Sequence, residues 1–407
     1  MKPIKLSLTA REYRVDPWSE FARIRKHGAV IPMKSLMFGK FWGATTYDAA
    51  NQVLRNDELF VRDPANAGRK TFGRIQYLMP RSMMTLTNNM IGKDGIDHRR
   101  LRSLVDQAFA RRNIDTMSDR LAVLASKQVD HCKEVTARDG QVDLVNEFAR
   151  PFPFMVICEL LGLEESRRQD IHEWFRPLSN FSGVLDLYRA TAGIKKMKVY
   201  LEEQFEDARK NPREGLISEL VAVQDDGEVL SEEELLAMVF LLFVAGHETT
   251  VHLISNCILA LTQCSDSKNA LLDDWSKSDS MIEEVLRYHS PIQFAKPRYV
   301  VSDTTFFDQE LKRGQIVLPL IASANYDPDK FPDPEKFDID RSPNHHLTFS
   351  SGPHTCLGIK LARSETHHAL QALFTQWPEF KPMFNSENVD WSKRPGIRGV
   401  KTLMVSR

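Results

Sequence analysis

FSSGPHTCLGIKLAR, residues 349–363, holds the residue on which the reading of this chain turns, Cys356. A lone cysteine is by default a small buried hydrophobe. Cys132, Cys158, Cys257 and Cys264 take that default, three of them in apolar helical runs and Cys132 on a charged helix. Cys356 differs in setting. LGIKLAR has helical periodicity, which puts the thiol just before a helix start. There the helix dipole and free backbone N–H groups favour a thiolate, and a thiolate binds iron. Gly358 removes a side chain where a flat ligand would press on the helix. Phe349 can shield one flank from water. His354 can reach a carboxylate on a bound ring. A Cys-His hydrolase is the competing chemistry, but FSSGPHTC shows no oxyanion loop and no third member.

Working outward, composition narrows the classes. The chain has 407 residues with 54 basic and 55 acidic side chains. That near-neutral balance gives no global field for nucleic acid. The five cysteines include no CxxC pair, which argues against a disulfide scaffold or a four-cysteine zinc site and suits a reducing compartment. MKPIKLSLTAREYRVDPW has no apolar segment of signal-peptide type. The run LLAMVFLLFVAG, residues 235–246, is too short to span a bilayer, which needs about 20 apolar residues. It is expected to be a core helix of a cytoplasmic protein without a membrane anchor.

Helical patterning dominates, over 96–136, 154–176 and 195–209. SEEE, 231–234, is a capping box that opens a long central helix of roughly thirty residues by pattern. Strand-like stretches lie at 29–33, 41–45, 298–306 and 315–320. YDPDKFPDPEKFDIDR, 326–341, should be irregular but anchored by Phe331 and Phe337. The expectation is a mainly α chain with a minor β portion, forming one unit over 1–407.

Three other segments stand out. AGHETT, 245–250, fills a helix interior poorly. Gly246 costs about 1 kcal/mol relative to alanine, and threonine hydroxyls can bond back to carbonyls. A local kink or bulge is expected there. EEVLR, 283–287, puts Glu284 and Arg287 on one helical face. DHRRLR, 97–102, puts His98 and Arg102 four apart, and Arg298 follows later in KPR.

Together these segments resemble the cytochrome P-450 family, whose cysteine signature runs roughly F-G-x-G-x-H-x-C-x-G-x-x-L-A-R. Phe349, Gly352, His354, Cys356, Gly358, Leu361, Ala362 and Arg363 match, and Ser350 stands where the family usually has glycine. The resemblance implies a haem b held between the central helix and the cysteine helix, with Cys356 as axial thiolate and Phe349, Gly358 and Ala245 against the ring. His98, Arg102, Arg298 and His354 would bind the propionates. Thr249 would donate a hydrogen bond during oxygen activation, and Glu248 would relay protons. Glu284 and Arg287 would tie their helix to the segment before the cysteine loop, closed by Lys336 or Arg341. The implied reaction is monooxygenation with O2 as co-substrate and electrons from NAD(P)H through a ferredoxin or flavodoxin-type partner. That partner would be steered by Arg99, Arg102, Arg111, Arg112 and Lys360. Met83, Met84, Leu241, Val244, Ala245, Phe294 and Ala295 are the expected pocket, for an apolar, terpenoid-sized molecule. A peroxygenase or a non-catalytic haem protein, the alternatives on the same fold, would not need the Glu248-Thr249 pair. A monomer is expected.

Overall fold

The computed structural model describes residues 2–6, 10–35, 37–69, 89–112, 114–179, 184–223, 227–385 and 389–407. Helices make up most of it, and the longest, Glu232–Gln263, runs through the centre. Its start is the expected capping box. Ser231 Oγ accepts from the Glu234 N–H at 3.3 Å, and Glu234 Oε2 accepts from the Ser231 N–H at 2.9 Å. Apolar residues surround the helix axis rather than forming a stripe, so it is buried on nearly all sides. Phe240, Phe243, Val251, Ile254 and Ile258 are each at most 2% exposed. Each such burial stabilises by about 1.5–3 kcal/mol. By length and apolar character this helix could cross a membrane. Here its apolar surface is met by other helices, chiefly Pro151–Leu161, Ser278–Tyr288 and Ile359–Gln376. The expected bulge at AGHETT is not found, and the α conformation is unbroken from Glu232 to Gln263. Gly246 serves packing instead, since a Cβ there would lie 3.0 Å from Ile157 Cδ1.

Two long helical patterns are interrupted. The stretch 96–136 forms Gly95–Arg112 and Ser118–Asp139, separated by a 3₁₀ turn at Ile114–Met117. The stretch 154–176 breaks at Gly162, which takes φ +77°. A Cβ at Gly162 would lie 2.6 Å from the Glu214 carbonyl oxygen, so this glycine is required by close approach as well as by φ. A single π turn, Val145–Ala149, delivers Arg150 to the central helix.

The β portion is a six-stranded sheet in the order Ile4–Lys5, Val30–Ser35, Gly39–Ala44, Ile316–Pro319, Arg298–Val300, Phe60–Val61. Small two- and three-stranded sheets accompany it. The expected strand 298–306 splits into Arg298–Val300 and Thr304–Phe306. Each face of the large sheet carries its own apolar cluster. The register Arg298↔Val317 and Tyr299↔Ile316 fixes Arg298 at the start of a buried strand. The segment 326–341 is irregular, with Phe331 at 1% exposure and Phe337 packed against the helical core.

Candidate active site

A cleft with about 290 Å³ of open space lies between the central helix and the cysteine loop. On one wall stand Cys356, Leu357, Gly358, Phe349 and Ser350. The loop is closed by the Cys356 N–H donating to the Phe349 carbonyl at 2.9 Å. It turns through Ser350 at φ +66° and Gly352 at φ +72°. A Cβ at Gly352 would meet Arg55 Cα at 2.8 Å, so only glycine fits. Ser350 therefore does the turn work of a glycine with a side chain attached, and its buried Oγ has no partner. Helix Ile359–Gln376 begins immediately after Gly358. The Cys356 side chain is open to the cleft. Protein packed around the cleft nonetheless raises its pKa by desolvation, while the Gly358 N–H and Arg102 pull it down. The helix-start amides act as expected, but burial outweighs them.

The Phe349 ring lies between the Arg363 guanidinium, 5.5 Å from its centroid, and the His346 ring at 5.7 Å. Glu283 holds both of those neighbours. Arg363 Nε donates to Glu283 Oε1 at 2.7 Å, and His346 Nε2 lies 3.1 Å from Oε2. Burial acts to raise the Glu283 pKa, yet His346 and Arg363 bring it to about 2. Glu283 carries no motif of its own in the sequence, and its only signal there is its place beside Glu284. Glu284 and Arg287 are completely buried. Arg287 grips Glu284 bidentately, with Nε to Oε2 at 2.8 Å and Nη2 to Oε1 at 2.7 Å. Arg341 closes the network, its Nε 3.3 Å from Glu284 Oε1. Lys336 turns its ammonium outward to Asp338 at 3.4 Å and contributes its carbonyl, which accepts from both Arg287 and Arg341. Asp338 N–H and Asn344 Nδ2 also donate to Glu284, which pins the irregular segment to helix Ser278–Tyr288.

At the cleft edge the expected basic group assembles. His98 and His354 have ring centroids 4.0 Å apart. Arg102 donates to the Thr355 carbonyl at 2.8 Å and is shared with Asp106. Arg298 is 1% exposed and its Nε has no partner. Arg62, absent from the sequence reading because it lies alone in FVRDP, joins them; its Nη1 donates to the Ile91 carbonyl at 3.1 Å and its Nε is orphaned. Asp94 is nearby, but its oxygens accept from the Arg62 and Asp63 backbone amides, both at 2.8 Å. Burial pushes Arg298 down to about 10, against Asp94 and Asp57. Burial and then Arg62 hold His98 and His354 below the usual histidine range. A buried cluster of cations with little carboxylate around it is costly unless a dianion fills it. The two carboxylates of haem fit. Gly358 fits as well, since a Cβ there would meet no protein atom within 4 Å.

The opposite wall is the central helix, and it presents Leu241, Ala245 and Thr249 at spacings of four, flanked by Leu242, Gly246, Thr250 and Leu253. Thr249 Oγ1 bonds back to the Ala245 carbonyl at 2.6 Å, and Thr250 to Gly246 at 2.8 Å. Glu248 does not line the cleft. It is 8% exposed and lies 3.1 Å from His252, 3.5 Å from Arg150 and 3.6 Å from Arg394. Burial would raise its pKa, but the His252 hydrogen bond and the two guanidiniums bring it to about 2. Glu365, unnoticed in the sequence, does line the cleft. It is 3% exposed, its Oε2 has no partner, and burial lifts its pKa well above the ordinary value.

The pocket expectation is partly corrected. Leu241 and Ala245 face the cleft, whereas Val244 lies outside both stripes and is not among its lining residues. Phe294 packs edge-on against Phe38 at 5.5 Å and over Gly396, and Ala295 joins the sheet cluster. Pro291 and Ile292, three residues earlier, line the cleft instead. Met83 and Met84 fall outside the described residues.

Comparison with known proteins agrees with this geometry. The family model described as cytochrome P450 matches residues 3–274 and 278–388. The chain is 33% identical over 401 residues to a polyketide biosynthesis cytochrome P450 of Bacillus subtilis, PksS, covering 97% of each. The solved structure of that protein superposes with a TM-score of 0.88, covering 98% of this chain and 99% of that one. The chain is 37% identical over 393 residues to the vitamin D(3) 25-hydroxylase of Pseudonocardia autotrophica, covering 96% of this chain and 94% of the other. A myxobacterial cytochrome P450 in complex with myristic acid superposes with a TM-score of 0.86 at 32% identity, covering 98% of each. The chain belongs to the cytochrome P450 family, and is a monooxygenase of the kind that uses haem and O2.

Proposed function

We propose that the protein inserts one atom of O2 into an apolar small molecule of terpenoid to macrolide size, the second atom leaving as water. Two electrons come from NAD(P)H through a ferredoxin-type partner, and two protons from solvent. The observation that carries this reading is that Thr249 and Cys356 line one largely apolar cleft from opposite walls. Relatives named for polyketide biosynthesis and for vitamin D(3) hydroxylation point to the same substrate class. Haem b bound through Cys356 supplies the oxygen chemistry, and the protein supplies orientation and protons.

In that division of labour, Phe349, Arg363 and Glu283 hold the cysteine loop in place. Arg62, His98, Arg102, Arg298 and His354 receive the two carboxylates. Thr249 is bonded back to Ala245 and its hydroxyl faces the cleft, where it can donate to a reacting oxygen or to water. Glu248, ionised beside His252, Arg150 and Arg394, holds charge behind the helix and relays protons from that side. Glu365 is neutral and keeps a proton at an oxygen facing the cleft. The partner docks on the groove lined by His98, Arg99, Arg102, Asp106 and Pro353, where Asp106 offsets part of the Arg102 charge. Arg111 and Arg112 contribute less to that surface than expected, because they meet Glu219 at 4.0 Å and Glu214 at 2.9 Å.

The test is the reduced CO-bound spectrum, followed by turnover with NADPH, ferredoxin and its reductase. A thiolate-type Soret band and hydroxylated product are expected. Cys356→Ser should lose both. Thr249→Ala should keep the haem and the substrate-induced spin shift while most electrons go to peroxide or water. Full coupling in Thr249→Ala, or turnover driven equally well by hydrogen peroxide alone, would refute the proton-delivery reading.

A further inference from the structure

Helix Ser278–Tyr288 sends two adjacent carboxylates to two different places. Glu284 ties down the irregular segment, and Glu283, about 100° round the helix, meets the cysteine loop. Glu283 takes Arg363 on both oxygens, Nε to Oε1 at 2.7 Å and Nη2 to Oε2 at 3.0 Å. Its Oε2 also meets His346 Nε2 at 3.1 Å. The other imidazole nitrogen, Nδ1, accepts from the Thr348 N–H at 3.2 Å. The ring hydrogen therefore sits on Nε2 and is donated to Glu283, which leaves the imidazole neutral. Thr348 Oγ1 in turn donates to the Leu286 carbonyl at 2.7 Å, one helical turn on from Glu283. These contacts surround Phe349. Its ring centroid lies 5.5 Å from the Arg363 guanidinium and 5.7 Å from the His346 ring, and its carbonyl accepts the Cys356 N–H.

The clamp on Phe349 thus contains one cation and one anion in contact, with a neutral imidazole beside them. Asp279, one turn before Glu283, acts on Arg363 more weakly than Glu283 does. Packing a phenyl ring does not call for such a pair, since apolar side chains of similar volume fill space as well or better. What a carboxylate adds is cancellation. Without Glu283 the guanidinium would stand as a net positive charge against the ring that flanks the cysteine loop. Charge and hydrogen bonding around a metal's sulfur ligand move its reduction potential. Resting on the haem-thiolate reading of the site, we infer that Glu283 sets the reduction potential of the iron by neutralising Arg363 across the Phe349 ring. Glu283 is a positioning residue: it touches neither iron nor substrate and acts through Phe349 and Arg363. Reduction adds one electron, so an unbalanced Arg363 favours the reduced centre and an unbalanced Glu283 the oxidised one. The two side chains of a single ion pair therefore push the potential in opposite directions.

The experiment measures the midpoint potential of the haem-loaded protein by spectroelectrochemical titration at low ionic strength. Glu283→Gln keeps the shape of the side chain and should raise the ratio of reduced to oxidised iron about tenfold at fixed potential, about 59 mV. Arg363→Gln should shift it the other way, and by less, because Arg363 is the more exposed partner, at 39% against 21%. The double variant should return close to wild type. His346→Ala loosens the clamp without changing its charge, and should move the potential much less than Glu283→Gln does. Added salt should shrink both single shifts. Shifts of one sign in the two single variants, or a His346→Ala shift as large as that of Glu283→Gln, would assign the effect to a loosened loop and overturn the proposal. Unmoved potentials in both single variants would overturn it as well. If Glu283→Gln holds no haem, Arg363→Lys set against Arg363→Gln carries the test, since lysine keeps the charge and should keep the potential. A wild type without the thiolate-type CO spectrum fails earlier and for a different reason, since it refutes the site itself.

Discussion

Glu248 and Glu365 are both buried, on two helices that pack together, yet they end in opposite charge states. Burial pushes both toward the protonated form. At Glu248 the hydrogen-bonding His252 and the cations Arg150 and Arg394 reverse that push, and at Glu365 no such group stands near enough to do so. Equal burial therefore decides nothing about protonation, and the neighbouring charge decides it. One region offers a permanent anion behind the central helix. The other offers a proton held inside the cleft.

The comparison can be broken hardest by moving to a third carboxylate that has both burial and cations in full. Glu284→Ala would leave Arg287, itself 0% exposed, as an uncompensated buried charge. A loss of about 3–5 kcal/mol is expected, read by denaturant unfolding and by low haem content. A loss below 1 kcal/mol would mean the network is not what binds the segment before the cysteine loop to its helix.

The next test separates the pair by pH. The folded Glu248 has a depressed pKa, so its contribution is present above about 4.5 and lost as pH falls towards about 2. The folded Glu365 has a raised pKa, so its contribution is fully present below about 4.5 and shrinks as pH rises. Glu248→Gln should thus be destabilised relative to wild type most at neutral pH, with the gap closing in acid. Glu365→Gln should gain on wild type as pH rises above about 4.5. Parallel stability profiles for the two variants would sink the assignment. If Glu365 supplies protons, Glu365→Gln also lowers coupling by less than Thr249→Ala does.

The smallest expected effect concerns Ser350. It pays the steric cost of φ +66° and buries an unpartnered hydroxyl. Ser350→Gly should stabilise the protein by about 1 kcal/mol. Ser350→Ala keeps the strain and removes only the hydroxyl, so the two variants divide the effect between backbone and side chain. A destabilised Ser350→Gly would show that the hydroxyl finds a partner.

Much of this is legible in the sequence. The capping box at Ser231, the helix after Gly358 and the pairing of Glu284 with Arg287 are local patterns, set by spacing along the chain. What was not legible came from packing between distant segments. Nothing near Gly246 announces that Ile157 needs the space, and nothing in FVRDP announces that Arg62 will sit beside Arg298. The sequence names Glu248 only as a proton relay beside Thr249 and does not say which way it points. One residue is about 100° of helix, enough to turn it to Arg150, which a π turn a hundred residues upstream had placed there. Phe294 and Ala295 failed as pocket residues for a similar reason: the chain after Ile292 turns into the sheet.

The position of Arg341 has a consequence for the segment around it. Its guanidinium reaches Glu284 from five residues downstream of Lys336 and gathers the carbonyls of Pro332, Asp333 and Lys336 about itself. One planar cation thus acts as the hub on which an otherwise irregular loop is wound, and the loop inherits its shape from that hub rather than from a ladder of its own.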